Sequence, residues 1–138
     1  MNALLRRLGV ARFLRFACVG VVGFAVDAGV LQALVSLAHW GPIAARGVAI
    51  PVAVFATWLL NRTITFPEAV GGPALASLLR YAMVSAAGAG VNFAVYAVLV
   101  FASAILAAHP LVPLAVASIV ALLVNYLGSR YFAFRWAG

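Results

Sequence analysis

A chain of 138 residues that is 67% hydrophobic and 8% charged cannot build the wetted shell of a soluble domain, in which about a quarter of the residues carry charge. With a mean hydropathy of +1.19 its solvent is lipid, and four spans of roughly 20 residues each use up most of the length, leaving no room for a second domain. The net charge of +7 comes from nine arginines against Asp27 and Glu68. Those arginines end apolar runs rather than forming a basic face, which excludes nucleic acid as a partner and points to the anionic headgroups of the lipid bilayer.

The first element opens with Arg6, Arg7, Arg12 and Arg15, followed by an apolar run from Phe16 to Ala38. That run exceeds the roughly 7–15 residues of a signal-peptide core, and no small-x-small cleavage site comes after it, so it reads as a retained first span at about 14–38. The lone Cys18 lies inside it as a small packing residue and leaves no intramolecular disulfide. Phe16, Gly20, Gly23 and Asp27 fall on one helical face. Asp27 lies about 18 Å deeper than Arg15 at 1.5 Å per residue. It is thus near the bilayer midplane, where a charge costs about 3 kcal/mol or more on insertion scales. Such a group marks a substrate or proton path, unless it is a protonated or Asn92-bonded Asp that only joins two helices.

The second span, about 43–65, begins beside Pro42, where a missing N–H costs little. It carries Pro51 inside, where a kink is expected. Its close is Asn61-Arg62-Thr63-Ile64-Thr65-Phe66, and Pro67 to Pro73 is the one clear loop. In the third span, about 79–105, Tyr81, Ser85, Gly88, Asn92 and Tyr96 share a face, with small residues that let helices approach closely. The fourth, about 110–133, starts near Pro110 and closes on Asn125, Ser129 and Arg130. The two short connections make spans one and two, and spans three and four, tight antiparallel hairpins.

Eight of the nine arginines flank the N-terminus, the central loop or the C-terminal end: Arg6, Arg7, Arg12, Arg15, Arg62, Arg80, Arg130 and Arg135. Only Arg46 lies on the other side, so the positive-inside bias orients the chain N-in and C-in. The chain also repeats. At an offset of 65, Arg15-Phe16, Gly23 and Asp27 recur as Arg80-Tyr81, Gly88 and Asn92; at an offset of 68, Trp58-Leu59, Arg62 and Phe66 recur as Tyr126-Leu127, Arg130 and Phe134. The expected fold is an all-α membrane protein of four transmembrane helices, a single domain over 1–138 built of two tandem parallel two-helix repeats at about 12–66 and 79–134. Transporters are built this way.

Arg15, Arg62, Arg80 and Arg130 each end one span on the cytoplasmic side, and a ring of their planar forks would suit phosphate; ordinary snorkelling is the plainer role. Asp27 and Asn92 form the candidate midmembrane polar site, with Ser85 and Tyr96 on the same face as Asn92. Asn61, Asn125, Ser129 and Thr57 could bond a polar ligand or cap helix ends, capping being preferred for Asn61. His39 and His109 sit at outer span ends, where anchoring is the default role and sugar or proton handling the alternative, and Trp40, Trp58, Trp136 and the tyrosines fit an interfacial aromatic belt. Two acids cannot supply a hydrolase dyad, no His/Cys cluster has metal-ligand spacing, and no ATP-binding phosphate loop occurs. The expectation is no catalysis, no cofactor and no metal.

Taken in order, Arg15-Phe16, Val19-Gly20, Gly23, Asp27, the Asn61-to-Phe66 close, Asn125 and Arg130-Tyr131-Phe132-Ala133-Phe134 resemble the GtrA-like family of small four-span bacterial membrane proteins over about residues 12–135. Ser129 stands where the second repeat would place the counterpart of Asn61. The resemblance implies a flippase of the bacterial inner (cytoplasmic) membrane that carries a polyprenyl-phosphate-linked monosaccharide to the outer leaflet for cell-surface polysaccharide synthesis. Its implied partners are that lipid and the membrane glycosyltransferases of the same pathway. Four short helices enclose little space, so a homo-oligomer is expected. One rival is a scaffold for a glycosyltransferase. The other is a small multidrug exporter, against which the arginine bias argues.

Overall fold

The computed structural model describes residues 2–109 and 111–135, apart from the side chain of Pro42. Among these residues there is no strand. The helices are α1 (Asn2–Ser36), α2 (Pro42–Leu60), α3 (Ala74–Ala102), α4 (Ala104–Ala108) and α5 (Leu111–Gly128). Helices α2 and α5 each run on into a π-helical turn, Asn61–Thr65 and Ser129–Ala133, and a 3-10 turn succeeds the first of these at Pro67–Gly71. Four stretches are long and apolar enough to cross a membrane: Asn2–Ser36, Ile43–Thr65, Ala74–Ala102 and Leu111–Ala133.

In the most apolar window of each stretch only 11–22% of residues are buried inside the protein. Phe24, Phe93 and Phe101 stand 74%, 73% and 90% exposed. A soluble monomer does not tolerate apolar patches of that extent. In lipid they are the contact surface, and the chain is a multi-pass membrane protein.

Two helices depart from their expected boundaries. Helix α1 starts at Asn2, not near residue 14, because Leu4, Leu5, Arg6, Arg7 and Leu8 are good helix formers whatever solvent surrounds them. Its 35 residues span about 52 Å, so the helix outruns a hydrocarbon core of about 30 Å. Helix α3 begins at Ala74 and stops at Ala102, before the expected 105. Ser103 there adopts an extended backbone (φ −145°, ψ 121°), and its hydroxyl accepts the Leu106 N–H at 3.4 Å, capping α4. The expected loop after span two also holds structure, its 3-10 turn.

The chain divides into two units, unit 1 running through Ala74 and unit 2 covering Leu75–Arg135. In unit 1, α1 lies against α2 through small residues. A Cβ on Gly23 would overlap the methyl of Thr57, and Ala45 and Ala49 are fully buried. His39 turns the chain between them with φ 56°, the left-handed position that glycine usually fills, while the Trp40 N–H closes on Leu34 O at 2.9 Å. In unit 2, Gly88 lies beneath the Asn125 amide and Gly128 against Val84, with Pro113, Ala117 and Ala121 buried at four-residue spacing on α5.

Each π turn is closed by a five-residue bond, Phe66 N–H to Asn61 O at 2.7 Å and Phe134 N–H to Ser129 O at 2.9 Å. An extra residue in a turn rotates the side chains beyond it by about 100° relative to a continuous α-helix. In unit 1 Phe66 meets Phe16 edge-on, with centroids 6.4 Å apart; in unit 2 Phe134 meets Tyr81 at 5.5 Å. Trp58, Tyr81 and Tyr126 are buried packing residues (7%, 6% and 7% exposed) and not members of an interfacial belt. Trp40 and Tyr131 remain exposed enough for that role. Trp136 and Pro110 lie outside the described residues.

Candidate functional site

Unit 1 holds its polar groups in fixed partnerships. The Arg46 guanidinium donates through Nη1 to Asp27 Oδ2 at 2.6 Å, an ion pair within apolar helices, while Asp27 Oδ1 is buried with no partner. Asp27 thus has its ion-pair partner within its own unit. The register makes this contact unusual. Gly23 packs on Thr57 and Phe16 on Phe66, so the α2 residue level with Asp27 is near Ala53. Arg46 is seven residues nearer the start of α2, about 10 Å away along the axis, and its side chain runs inward to reach the carboxylate.

At the opposite end of unit 1, Arg62 is only 7% exposed, and its Nη2 donates to Val70 O (3.0 Å) and Gly72 O (2.7 Å) while the guanidinium covers the Trp58 ring at 5.6 Å. These bonds pin the loop that leaves the second span. Asn61, 1% exposed, accepts from the Thr65 hydroxyl at 2.8 Å inside its π turn, and it stands at the C-cap position of α2, so it braces the turn at the end of that helix. Thr57 bonds its own helix carbonyls at Ala53 and Val54. Arg12 pairs with Glu68 at 2.8 Å and lies over Phe66. Arg15 is exposed.

Unit 2 is organised differently. Ser85, Gly88, Ala89 and Asn92 of α3 and Ala121 and Asn125 of α5 line an open cleft of about 340 Å³. Asn92 donates to Ser118 Oγ at 3.4 Å, and Asn125 Oδ1 is buried without a partner. Ser129 Oγ, in the adjoining π turn, is likewise buried without one. There the counterpart of Thr65 is Ala133, which has no hydroxyl to offer. Ser85 and Asn125 are each five residues from an arginine, Arg80 and Arg130, about 8 Å along the helix; Asn92 is about 18 Å from Arg80. Arg80 is half-buried over Phe132 at 5.9 Å, and Arg130 is exposed over Tyr131 at 5.2 Å. A polar strip therefore runs from two cations toward the middle of the span. Tyr96, one turn past Asn92, does not line it.

The structure brings Ser85, Asn92 and Asn125 together and gives Asp27 and Arg62 partners within unit 1. Arg46 is the residue that sequence reasoning misses as part of a site. Its charge is visible, but the inward reach needs the hairpin register and a long side chain bent away from the headgroups.

Comparison with known proteins adds two findings. A family model described as GtrA/DPMS, transmembrane domain, matches residues 15–135. No curated protein matches the chain.

Proposed function

The chain belongs to the GtrA/DPMS transmembrane-domain family, whose membrane role relates to polyprenyl-phosphate sugars, and on that premise we propose that it translocates a polyprenyl-phosphate-linked monosaccharide from the cytoplasmic to the outer leaflet. In this reading the protein sits N-in and C-in in a bacterial inner membrane, its two units are tandem repeats, and a membrane glycosyltransferase consumes the sugar outside. No bond is made or broken by the chain itself. Without an energy source of its own, net flow follows consumption of the sugar.

The observation that carries the proposal is the unit 2 cleft, where Asn125 Oδ1 lies buried without a donor between two apolar helices. An orphaned acceptor in such a place costs about 1–3 kcal/mol, and a sugar hydroxyl entering the cleft would supply the missing donor. Arg80 and Arg130 stand at the end of the strip where a phosphate would dock from the cytoplasmic leaflet. Arg15 is the corresponding exposed cation of unit 1, and Arg62 contributes charge more than free donors. The isoprenoid tail stays in lipid along the exposed apolar faces while the headgroup moves along the strip, with Asn92 next in line. Asp27, with Arg46, is the polar group within the spans of unit 1.

Proteoliposomes containing the full chain and a polyprenyl-phosphate sugar test this directly. Asn125→Ala and Asn92→Ala are each expected to slow headgroup translocation about tenfold, the worth of one lost hydrogen bond near 1.4 kcal/mol. Variants that fold and translocate at the unaltered rate would remove the cleft from the mechanism.

A further inference from the structure

We propose that Arg46 and Asp27 form an anion-exchange site in the outer half of unit 1, in which the guanidinium exchanges the Asp27 carboxylate for the phosphate of a lipid-linked ligand and Asp27 then returns to displace it. The proposal rests on the orientation and carrier role put forward above and names the residue that receives the phosphate on the far side.

Direction is the first observation. A long cation near the outer end of a span ordinarily turns toward the headgroups. Arg46 instead meets a carboxylate whose helical level lies about 10 Å further in, the two side chains closing that offset to a 2.6 Å contact. Only an anion in the span draws it there, so the same guanidinium has two stations: the carboxylate inside, and phosphate at the headgroup level.

Incompleteness is the second. A guanidinium carries five N–H donors in a planar fork and grips a carboxylate best with two parallel bonds. Here one bond is made, from Nη1 to Oδ2; the rest of the fork has no partner among the described residues, and the Arg46 side chain is 49% exposed. Asp27 Oδ1 remains buried and without a donor. A pair built only to join α1 and α2 would close both. This one leaves exposed donors open for an incoming phosphate diester or monoester.

Release is the third. A free guanidinium at the exit would hold a phosphate tightly and delay its departure. An internal competitor lowers the apparent affinity by the fraction of time the guanidinium is free. The exchange is charge-balanced at Arg46, one anion for another, and the displaced carboxylate repels the bound phosphate until it leaves.

The test uses the full chain in detergent micelles, titrated with a polyprenyl monophosphate, with phosphatidylglycerol, and with inorganic phosphate. Asp27→Asn is expected to tighten polyprenyl monophosphate binding about tenfold, and Arg46→Gln to cancel that gain in the double variant. Arg46→Lys keeps the charge without the fork and is expected to recover less than half of it. An Asp27→Asn protein that binds no tighter than the unaltered chain, or a gain that survives Arg46→Gln, would overturn the proposal. Equal tightening for phosphatidylglycerol or inorganic phosphate would overturn its assignment to a lipid-linked polyprenol. Failure of the Asn125 and Asn92 experiment would sink the carrier role while leaving this binding result standing, so the two are separable.

Discussion

Arg62 provides the sharpest division between a ligand-binding and a structural arginine. Arg62→Ala removes the two bonds from Nη2 to Val70 O and Gly72 O, at 3.0 and 2.7 Å, and uncovers the Trp58 ring. Hydrogen bonds from a charged donor are worth about 1.5–3 kcal/mol, and a cation over an indole at a buried position adds about 1 kcal/mol. Val70 is exposed and Gly72 half-exposed, so water recovers much of what the carbonyls lose. The net loss expected is about 2–4 kcal/mol, with Arg62→Lys recovering roughly half, since an ammonium is no planar fork. Unfolding in mixed micelles measures the first effect. Limited proteolysis across the loop from Pro67 to Pro73 measures the second, with cleavage expected to accelerate. If Arg62→Ala unfolds like the unaltered protein, resists protease equally, and instead loses polyprenyl monophosphate binding, then the guanidinium serves the ligand and the loop-pinning argument is wrong.

Orientation is checked by cysteine labelling in a Cys18→Ser background. Gly41→Cys, where open space surrounds the new side chain, is expected to react with an impermeant maleimide from outside intact cells, and Gly71→Cys only after permeabilisation. The reverse pattern would invert the proposed topology. Thr65→Ala removes the 2.8 Å bond to Asn61 inside a fully buried turn and is expected to cost about 1–2 kcal/mol in the same unfolding assay, with Thr65→Ser recovering most of it. Equal stability of the two variants would show that the hydroxyl contributes nothing to the turn.

The spans are legible because lipid imposes a length, and runs of about 20 apolar residues have no other use in so small a chain. Span two comes out within a residue or two for that reason. The start of α1 is not legible: Arg12 and Arg15 mark where the apolar run begins, whereas the helix begins at Asn2, where backbone bonding does. The break at Ser103 is hidden because serine is equally at home in a span and at a cap. Asn125, Ser85 and Asn92 are visible as polar residues at helical spacing, yet the empty space among them depends on Ala89 and Ala121 being small on facing helices. Arg62 is recognisable as the end of a span, but its acceptors are main-chain carbonyls, which no residue type announces. Trp58, Tyr81 and Tyr126 mislead because aromatic residues near a membrane surface can face inward as readily as outward, and the packing of each hairpin decides which.

The ion pair between helices also bears on how the chain is made. Asp27 emerges during synthesis 19 residues ahead of the arginine that neutralises it. A lone carboxylate at the centre of a segment opposes its partition into lipid by about 3 kcal/mol on insertion scales. Helix α1 is therefore least comfortable in the bilayer by itself and settles once α2 has been delivered beside it. The fragment that enters the membrane with its charge neutralised is the hairpin, and a truncation before Arg46 should be retained less well than the hairpin.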